Sequence, residues 1–234
     1  MPANPAPQED LNNKVSPGGN FDLSMFKLQL PTADSDGKVD MITSGLTGAS
    51  GFKNEYFLTG PDGSLVMKVP SKDDGCATTP NSDHCRTELR EDDPKSWDPK
   101  APTNRLAVTL TVVQPDDSPR GTVIGQVKVD DDISKKPLCE LYYNDKGDLT
   151  LGVNQTPNKS GQDFNPVGNV PVGKEFTYEL RYEKSVLSLA INGGEFKTFS
   201  TGDIKTPLSY FKVGNYNQGD TASEVKFAAI GIQH

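Results

Sequence analysis

The stretch SDHCRTELRE, residues 82–91, places polar and charged side chains at every second position. Successive side chains of a β-strand point to opposite faces, so His84, Arg86, Glu88 and Arg90 are predicted to share one face. Arg presents a planar fork of donors that matches a carboxylate. This mostly cationic row is therefore suited to an anionic ligand.

Two further stretches, IGQVKVD and YFKVGNYNQ, carry similar rows. Each row alone is more often the solvated face of an outer strand. Together, however, they offer amide donors, ammonium groups and phenols, which are the groups that a carboxylate-bearing sugar needs. Asn215 and Asn217 alternate onto the opposite face and are not candidates. The predicted members of the two rows are Gln126, Lys128, Tyr210, Lys212, Tyr216 and Gln218.

The composition excludes some functions. With 234 residues and a formal net charge of -8, the chain lacks the basic surface that generic nucleic-acid binding requires. No apolar run approaches the length of a membrane span. We expect a monomer that binds neither nucleic acid nor membrane, with a local cationic cleft for an anionic polymer.

The elements that must position these rows are strands. Alternating or β-branched segments are separated by turn signals such as Asp62-Gly63, Lys146-Gly147-Asp148 and Asn192-Gly193-Gly194. They predict an all-β fold, a two-sheet antiparallel β-jelly roll, as one domain over residues 21–234 after a flexible tail over residues 1–20. The strands predicted besides the two polar rows at 82–91 and 210–218 are residues 25–30, 64–69, 105–113, 122–129, 138–143, 149–153, 176–183, 186–191 and 224–232.

The three cysteines are informative about the compartment in which the protein is found. Cys76 and Cys85 bracket a turn beside the first polar row, where they are either bridged or small buried hydrophobes, and Cys139 is predicted to be a core thiol. Sequons at Asn154 and Asn158 are compatible with a glycoprotein. The N-terminal residues lack the basic and apolar regions of a secretory signal, so either the protein stays inside the cell or this is a mature form with an added Met. Because of the cysteine pair and the sequons, we expect the second, a secreted protein.

The segments RTELRE, YFKVGNYNQ and FDLSMFKLQLP closely resemble the signature segments of alginate lyases of polysaccharide lyase family 7. The resemblance extends from about residue 21 to residue 234. It implies a jelly roll, similar to that of concanavalin, with an open concave cleft for a polyuronate. It also implies cleavage by β-elimination without a metal or organic cofactor in the chemical step.

The resemblance assigns roles to individual residues. Arg86 and Gln126 would stabilise the enolate that develops when C5 of the uronate loses its proton. Tyr216 would protonate the departing O4 and could also be the base. The pKa of an ordinary Tyr is about 10, and the surrounding cations are expected to lower it. Those cations are Arg86, Arg90, Lys128 and Lys212.

One position departs from the family pattern. The middle motif of the family reads Gln-Ile-His or Gln-Val-His, whereas here Lys128 follows Gln126-Val127. We hypothesise that His84 takes over as base or carboxylate partner, with Lys128 supplying charge. The alternative is that His84 is a turn residue beside a disulfide, which leaves Tyr216 as the sole acid and base.

Other assignments stay open at this point. Glu88 would orient Arg86 or Arg90, or accept from a sugar hydroxyl; Trp97 would be a stacking platform or ordinary packing. The run Asp130–Asp132 offers oxygens for a structural Ca²⁺, although such a run is more often a solvated turn. The altered motif favours mannuronate-rich alginate. The alternatives are a glucuronan lyase or a non-catalytic polyuronate-binding module on the same fold.

Overall fold

The computed structural model of the protein describes residues 11–80, 82–157 and 161–234. Among these residues it contains fifteen strands, in two antiparallel sheets, and the four-residue helix α1 (Pro17–Asn20). One sheet contains β1 (Phe26–Ala33), β2 (Val39–Ile42), β5 (Arg86–Glu91), β7 (Thr122–Val129), β8 (Pro137–Tyr143), β9 (Asp148–Asn154), β10 (Gln162–Asn169) and β14 (Ser209–Tyr216). The other contains β3 (Phe57–Thr59), β4 (Leu65–Val69), β6 (Arg105–Gln114), β11 (Glu175–Glu183), β12 (Val186–Ile191), β13 (Lys197–Phe199) and β15 (Ser223–Gln233).

The strand order gives the topology of each sheet. The eight-stranded sheet runs β10-β9-β8-β7-β14-β5-β1-β2, and the seven-stranded sheet runs β13-β12-β11-β6-β15-β4-β3. Many neighbours are distant in sequence, as expected when a chain alternates between two sheets. The predicted two-sheet antiparallel jelly roll is confirmed.

The core lies between the two sheets. On the eight-stranded sheet, Leu89 and Phe211 are fully buried and point inward, while their polar neighbours along the strand face outward. On the seven-stranded sheet Leu110 and Phe227 are also fully buried in the same core cluster. Burying each such side chain contributes about 1.5–3 kcal/mol. Alternation therefore fixes which face of β5 and β14 is turned to solvent.

A hydrogen bond ties the sheets together behind the polar rows. The hydroxyl of Tyr178 on β11 donates to the carbonyl oxygen of Ile124 on β7 at 2.9 Å. The residue between Ile124 and Gln126 is Gly125, and a Cβ there would lie 2.4 Å from that hydroxyl. Only glycine therefore permits this contact, which anchors β7 directly beside Gln126.

The turn signals lie between paired strands. Gly147, with φ 77°, connects β8 to β9, and a Cβ at this position would come within 2.0 Å of the Val170 carbonyl oxygen. Asn192 and Gly193 both have positive φ and follow β12, which pairs with β13. Asp62-Gly63 connects the paired β3 and β4.

All nine strand segments predicted from periodicity overlap observed strands, namely β1, β4, β6, β7, β8, β9, β11, β12 and β15. Four strands and the helix α1 were not predicted from the sequence; the strands are β2, β3, β10 and β13. β2, β10 and β13 are at sheet edges and half exposed, so their side chains show little apolar alternation.

The N-terminal segment corrects one expectation. Residues 11–20, predicted to belong to a flexible tail, pack against the domain. The backbone N–H of Ser16 donates to the Ala49 carbonyl at 2.8 Å, and the Asn20 amide donates to the Gly63 carbonyl at 2.8 Å. Pro17 is buried in α1. The first ten residues of the predicted tail lie outside the described residues.

Cys76 and Cys85 form a disulfide with Cα atoms 6.1 Å apart. Cys139 is a buried free thiol, and burial raises its pKa to about 12. The side chain of Asn154 is buried and donates to the Pro137 carbonyl, so the first sequon is not presented at the surface. The second, at 158–160, lies outside the described residues. No helix in the described ranges is both long and apolar enough to cross a bilayer.

Candidate active site

Three neighbouring strands bring the polar rows together. β14 lies between β7 and β5, and the antiparallel register places Tyr216 opposite Arg86. Lys212 lies opposite both Arg90 and Gln126. Residues that are opposite in register share a face of the sheet. The rows found separately in the sequence are therefore one surface, on the outer face of the eight-stranded sheet.

A cavity of about 260 Å³ opens on this surface. Its lining contains more cations than carboxylates, although the protein as a whole is acidic. Such a lining concentrates an anionic polymer while the remaining surface stays negative. The lining residues are Gln29, Thr79, Ser82, Arg86, Arg90, Gln126, Lys128, Asp131, Lys135, Pro137, Glu140, Tyr210, Lys212 and Tyr216.

Glu88 lies beneath the cavity and does not line it. It is 1 % exposed, and it accepts hydrogen bonds from the Gln126 amide and the Lys212 ammonium. Arg86 Nη1 lies 3.4 Å from the same carboxylate. Burial alone would raise the pKa of Glu88, but the charges of Lys212 and Arg86 hold that pKa below its ordinary value. Glu88 therefore positions its neighbours, and the expected contact with a sugar hydroxyl is wrong.

Tyr216 is held between two groups. The guanidinium carbon of Arg86 lies 3.5 Å from the centre of the Tyr216 ring, which is a cation–π contact. The Tyr216 hydroxyl is 2.9 Å from Ser82 Oγ. Arg86 and Tyr216 are 8 % exposed, so both are fixed by packing at the cavity wall.

Arg90 and Tyr210 form a second unit. The guanidinium carbon of Arg90 lies 4.2 Å from the centre of the Tyr210 ring, and its Nη1 is 2.6 Å from Asp131 Oδ2. The Tyr210 hydroxyl donates to the other Asp131 oxygen at 3.2 Å. Arg90 thus pairs with Asp131, so Glu88 does not orient it.

The aspartates of the run Asp130–Asp132 have separate partners. Asp131 pairs with Arg90, whereas Asp132 lies 2.7 Å from the ammonium of Lys95. Asp130 accepts from the backbone N–H of Asp132 at 2.8 Å. In the part of the chain that the structure describes, no group of three or more His, Cys, Asp or Glu is arranged to hold a metal ion.

Two lysines of the cavity have lowered pKa values. Burial, with Lys212 as a like charge, lowers the pKa of Lys128 to about 8. Burial also lowers the pKa of Lys212 to about 8, although its partner Glu88 opposes the shift. Both ammonium groups therefore begin to lose their charge just above neutral pH.

His84 precedes β5, which begins at Arg86, and it does not line the cavity. Its ring is edge-on to that of Tyr216, with centres 6.3 Å apart. Its Nδ1 is buried and has no hydrogen-bond partner among the described residues. Burial, followed by the charge of Lys72, lowers the pKa of His84. The imidazole is therefore neutral near pH 7, but Tyr216 stands closer to the cavity.

Other predicted residues lie elsewhere. β14 ends at Tyr216, so the strand alternation that assigned Gln218 to the row does not reach it, and Gln218 lines a separate cavity. Asn215 is buried on the opposite face of β14, as predicted, and Asn217, beyond the end of the strand, is buried as well. Trp97 is 6 % exposed and donates to Glu91 at 2.8 Å, so it packs in the core and offers no stacking platform in the cleft.

Several residues of the site were not predicted from the sequence. Glu140 lies opposite Gln126 in register and accepts from the hydroxyl of Tyr142 at 2.7 Å and from the amide of Gln162 at 2.6 Å. Gln29 lies opposite Glu88 on β1. Alternation within PLCELYY would have assigned Glu140 and Tyr142 to one face, but the partner strand cannot be read from the sequence.

The chain is similar to known proteins both in sequence and in structure. The family model described as alginate lyase matches residues 21–234. An alginate lyase of Klebsiella pneumoniae is 41% identical over 78 residues, which are 32% of this chain and 24% of that relative, so the matched segment spans about a quarter of it.

Solved structures match over nearly the whole chain. The crystal structure of alginate lyase A1-II', a member of polysaccharide lyase family 7, is 28% identical, with a TM-score of 0.80 over 94% of this chain and 99% of that one. A second solved structure, an alginate lyase from Pseudomonas aeruginosa, is 25% identical, with a TM-score of 0.74 over 91% and 99% of the two chains. A1-II' variants have been crystallised with the product GGG and the substrate GGMG.

Proposed function

Because the chain belongs to the alginate lyase family, a family of polysaccharide lyases, we propose that it cleaves alginate by β-elimination and leaves an unsaturated uronate at the new non-reducing end. One observation carries the proposal. The strand order β7-β14-β5 brings Gln126, Tyr216 and Arg86 to one cationic cavity.

The first requirement of the reaction is that the proton on C5 becomes more acidic. The uronate carboxylate, being negative, opposes removal of the neighbouring proton, so donors aimed at it stabilise the enolate that develops. Arg86 and Gln126 line the cavity and are held by Glu88 beneath it. We assign them to this carboxylate, with Lys212 adding positive charge.

The second requirement is a pair of proton transfers. A base takes the C5 proton, the electrons of that C–H bond form the C4–C5 double bond, and the C4–O4 bond breaks as an acid protonates O4. Tyr216 lines the cavity, whereas His84 does not line it and lies edge-on to the Tyr216 ring. We therefore assign the acid, and the base of a same-side elimination, to Tyr216, with His84 in a supporting position.

The expected substrate preference follows from the assignment of both proton transfers to one residue, Tyr216. Mannuronate and guluronate differ in configuration at C5, so a single residue on one side of the chain serves only one of them well. Lys128 lines the cavity where the family pattern has a histidine. We propose mannuronate-rich alginate as the preferred polymer. The complexes of A1-II' with GGG and GGMG support an alginate oligosaccharide as the substrate class, and the preference for mannuronate rests on the Tyr216 argument alone.

The test is ultraviolet absorbance over time, with the protein added separately to polymannuronate, polyguluronate and polyglucuronate. The new double bond is conjugated with the carboxylate and absorbs, so a rise first and fastest on polymannuronate is the expected result. A rise on polyglucuronate alone would identify a glucuronan lyase. A flat trace on all three, with binding retained in calorimetry, would identify a binding module and contradict the proposal.

We further propose that the protein is secreted and acts as a monomer. The Cys76–Cys85 disulfide supports an oxidising compartment, and the whole site is built from one chain. Light scattering after gel filtration should give one 25.3 kDa species. A dimer would overturn the proposed monomer. A protein found only inside the producing cells would overturn the proposed secretion.

A further inference from the structure

A second cavity lies on the same face of the eight-stranded sheet. Its volume is about 420 Å³, and its lining is Ser118, Pro119, Arg120, Tyr142, Phe164 and Gln218. The loop between β6 and β7 forms one wall, and side chains of β8 and β10 form the other. The proposed cleavage chemistry uses none of these residues.

The register shows that the two cavities share one surface. Gln126 lies opposite Glu140, Glu140 opposite Gly152, and Gly152 opposite Phe164. Strands in a sheet are about 4.8 Å apart, so Phe164 is roughly 14 Å from Gln126 across the sheet. A polymer that crosses the strands from the first cavity would therefore reach the second after several sugar units.

Polar groups form the floor between the cavities. The Tyr142 hydroxyl donates to Glu140 at 2.7 Å, and the Gln162 amide donates to the same carboxylate at 2.6 Å. The Tyr142 ring also contacts Phe164, with ring centres 5.8 Å apart, and belongs to a cluster with Tyr216. Tyr142 thus joins the wall of the second cavity to the first.

Arg120 has a distinctive environment among the arginines. Each of the other four pairs with a carboxylate: Arg86 with Glu88, Arg90 with Asp131, Arg105 with Glu183, and Arg181 with Glu179. Within residues 11–80, 82–157 and 161–234, no carboxylate lies within ion-pair distance of Arg120. Its guanidinium carbon instead lies 3.5 Å from the centre of the Phe164 ring.

We propose that this second cavity is a remote subsite, in which Arg120 binds the carboxylate of a uronate in the same polymer chain that is cleaved at Tyr216. The proposal rests on the proposed polyuronate substrate. Stacking on Phe164 orients the planar fork of Arg120, and a guanidinium without a carboxylate partner is free for a bidentate contact. Phe164, 39% exposed, offers an apolar face to the sugar ring, and Gln218 offers an amide oxygen.

The test compares long and short substrates. Arg120→Gln is expected to raise KM on polymannuronate about fivefold, the upper end for an exposed charge pair, with kcat unchanged. A mannuronate trisaccharide is too short to reach both cavities, so its KM should not change. Arg181→Gln is the control for the loss of an arginine that stacks on a phenylalanine, because Arg181 stacks on Phe196 at 3.7 Å but lies on the seven-stranded sheet. Since Arg181 also pairs with Glu179, melting curves establish that this variant is folded.

The outcomes separate the two proposals. If the wild type cleaves polymannuronate and Arg120→Gln has an unchanged KM on it, the subsite is wrong and the proposed function stands. An equal rise in KM on polymer and trisaccharide, or the same rise in Arg181→Gln, would also overturn the subsite. A wild type that neither binds nor cleaves any polyuronate would overturn both.

Discussion

Arg86 and Tyr216 form a single structural unit, with the guanidinium carbon 3.5 Å from the centre of the phenol ring. The two residues are directly opposite in register on β5 and β14, so the pairing of these strands sets their contact. The hydroxyl lies at the far end of the ring beside Ser82. Carboxylate binding and proton transfer are therefore proposed to share one rigid support.

Tyr216→Phe tests the proton-transfer role. The change keeps the ring and its contact with Arg86 and removes only the hydroxyl. We expect kcat to fall about 10²-fold to 10⁴-fold, the usual contribution of general acid–base catalysis, with little change in KM. Initial rates from ultraviolet absorbance measure this, and Tyr56→Phe, outside the cavity, is the control. A variant that retains more than a tenth of wild-type kcat would contradict the assignment.

His84→Ala tests whether His84 is the base. Because its ring lies edge-on to Tyr216 and is not part of the cavity lining, we expect kcat to fall less than about tenfold, below the range for general acid–base catalysis. Melting curves of the variant establish that it is folded. A loss as large as that of Tyr216→Phe would restore His84 as the base.

Glu88→Gln tests the buried support of the site. The carboxylate is 1 % exposed and lies between Lys212 and Arg86, so its removal leaves two buried cations without their anion. We expect the free energy of unfolding to fall about 3–5 kcal/mol. Urea denaturation measures it. Glu224→Gln, which breaks a partly exposed pair with Lys68, should cost less than about 1 kcal/mol.

The contribution of Glu88 to the free energy of unfolding depends on pH. The pKa of Glu88 is lower in the folded protein than its ordinary value of 4.5. Its stabilising contribution is therefore present above pH 4.5 and is lost as the pH falls through the folded pKa. The wild type should lose stability on acidification more steeply than Glu88→Gln, and parallel curves would show that Glu88 does not act in this way.

The sequence predicted the strands of the site well because their alternation is strong. RTELRE and YFKVGNY put apolar residues on one face and polar residues on the other, and burial of the apolar face fixes both strands. β10 was missed, since an edge strand with half-exposed side chains needs no such pattern. Phe164 and the second cavity could therefore not be predicted from the sequence.

Contacts between strands that are distant in sequence could not be predicted either. Glu88 looked like a surface member of its row, but its neighbours Gly214 and Gln29 come from strands far away in sequence. A Cβ at position 214 would lie 2.6 Å from the Cα of Glu88. Only the strand order shows that Glu88 is covered by Gln126 and Lys212 and cannot reach a sugar.

Removing the disulfide tests how the loop supports Tyr216. Cys76 and Cys85 are nine residues apart, and the loop that they close carries Thr79 and Ser82 to the cavity. Cys76→Ala with Cys85→Ala should lower the free energy of unfolding about 2–3 kcal/mol by the loop-entropy model. It should also lower kcat, because Ser82 no longer holds the Tyr216 hydroxyl.

Ser82→Ala in the bridged protein is the control for that experiment. It removes the hydrogen bond to Tyr216 and keeps the loop closed, so kcat should fall while stability changes by less than about 1 kcal/mol. If the unbridged variant keeps full kcat, the loop is not needed to hold Tyr216.

Because of Lys128, we expect the KM for the polymer to depend on pH above neutrality. Burial and the charge of Lys212 lower its pKa to about 8, while Glu140 and Asp131 oppose the shift. As the pH rises through 8, the cavity loses positive charge, and KM for polymannuronate should rise roughly threefold, the effect of one partly exposed charge.

Lys128→Arg isolates this effect, because a guanidinium stays charged throughout the range. The rise in KM above pH 8 should shrink but not vanish, since Lys212 also has a pKa of about 8. Lys174→Arg, at an exposed position remote from the cavity, is the control and should follow the wild type. If Lys128→Arg shows the same KM profile as the wild type, the ammonium of Lys128 does not contribute to holding the polymer.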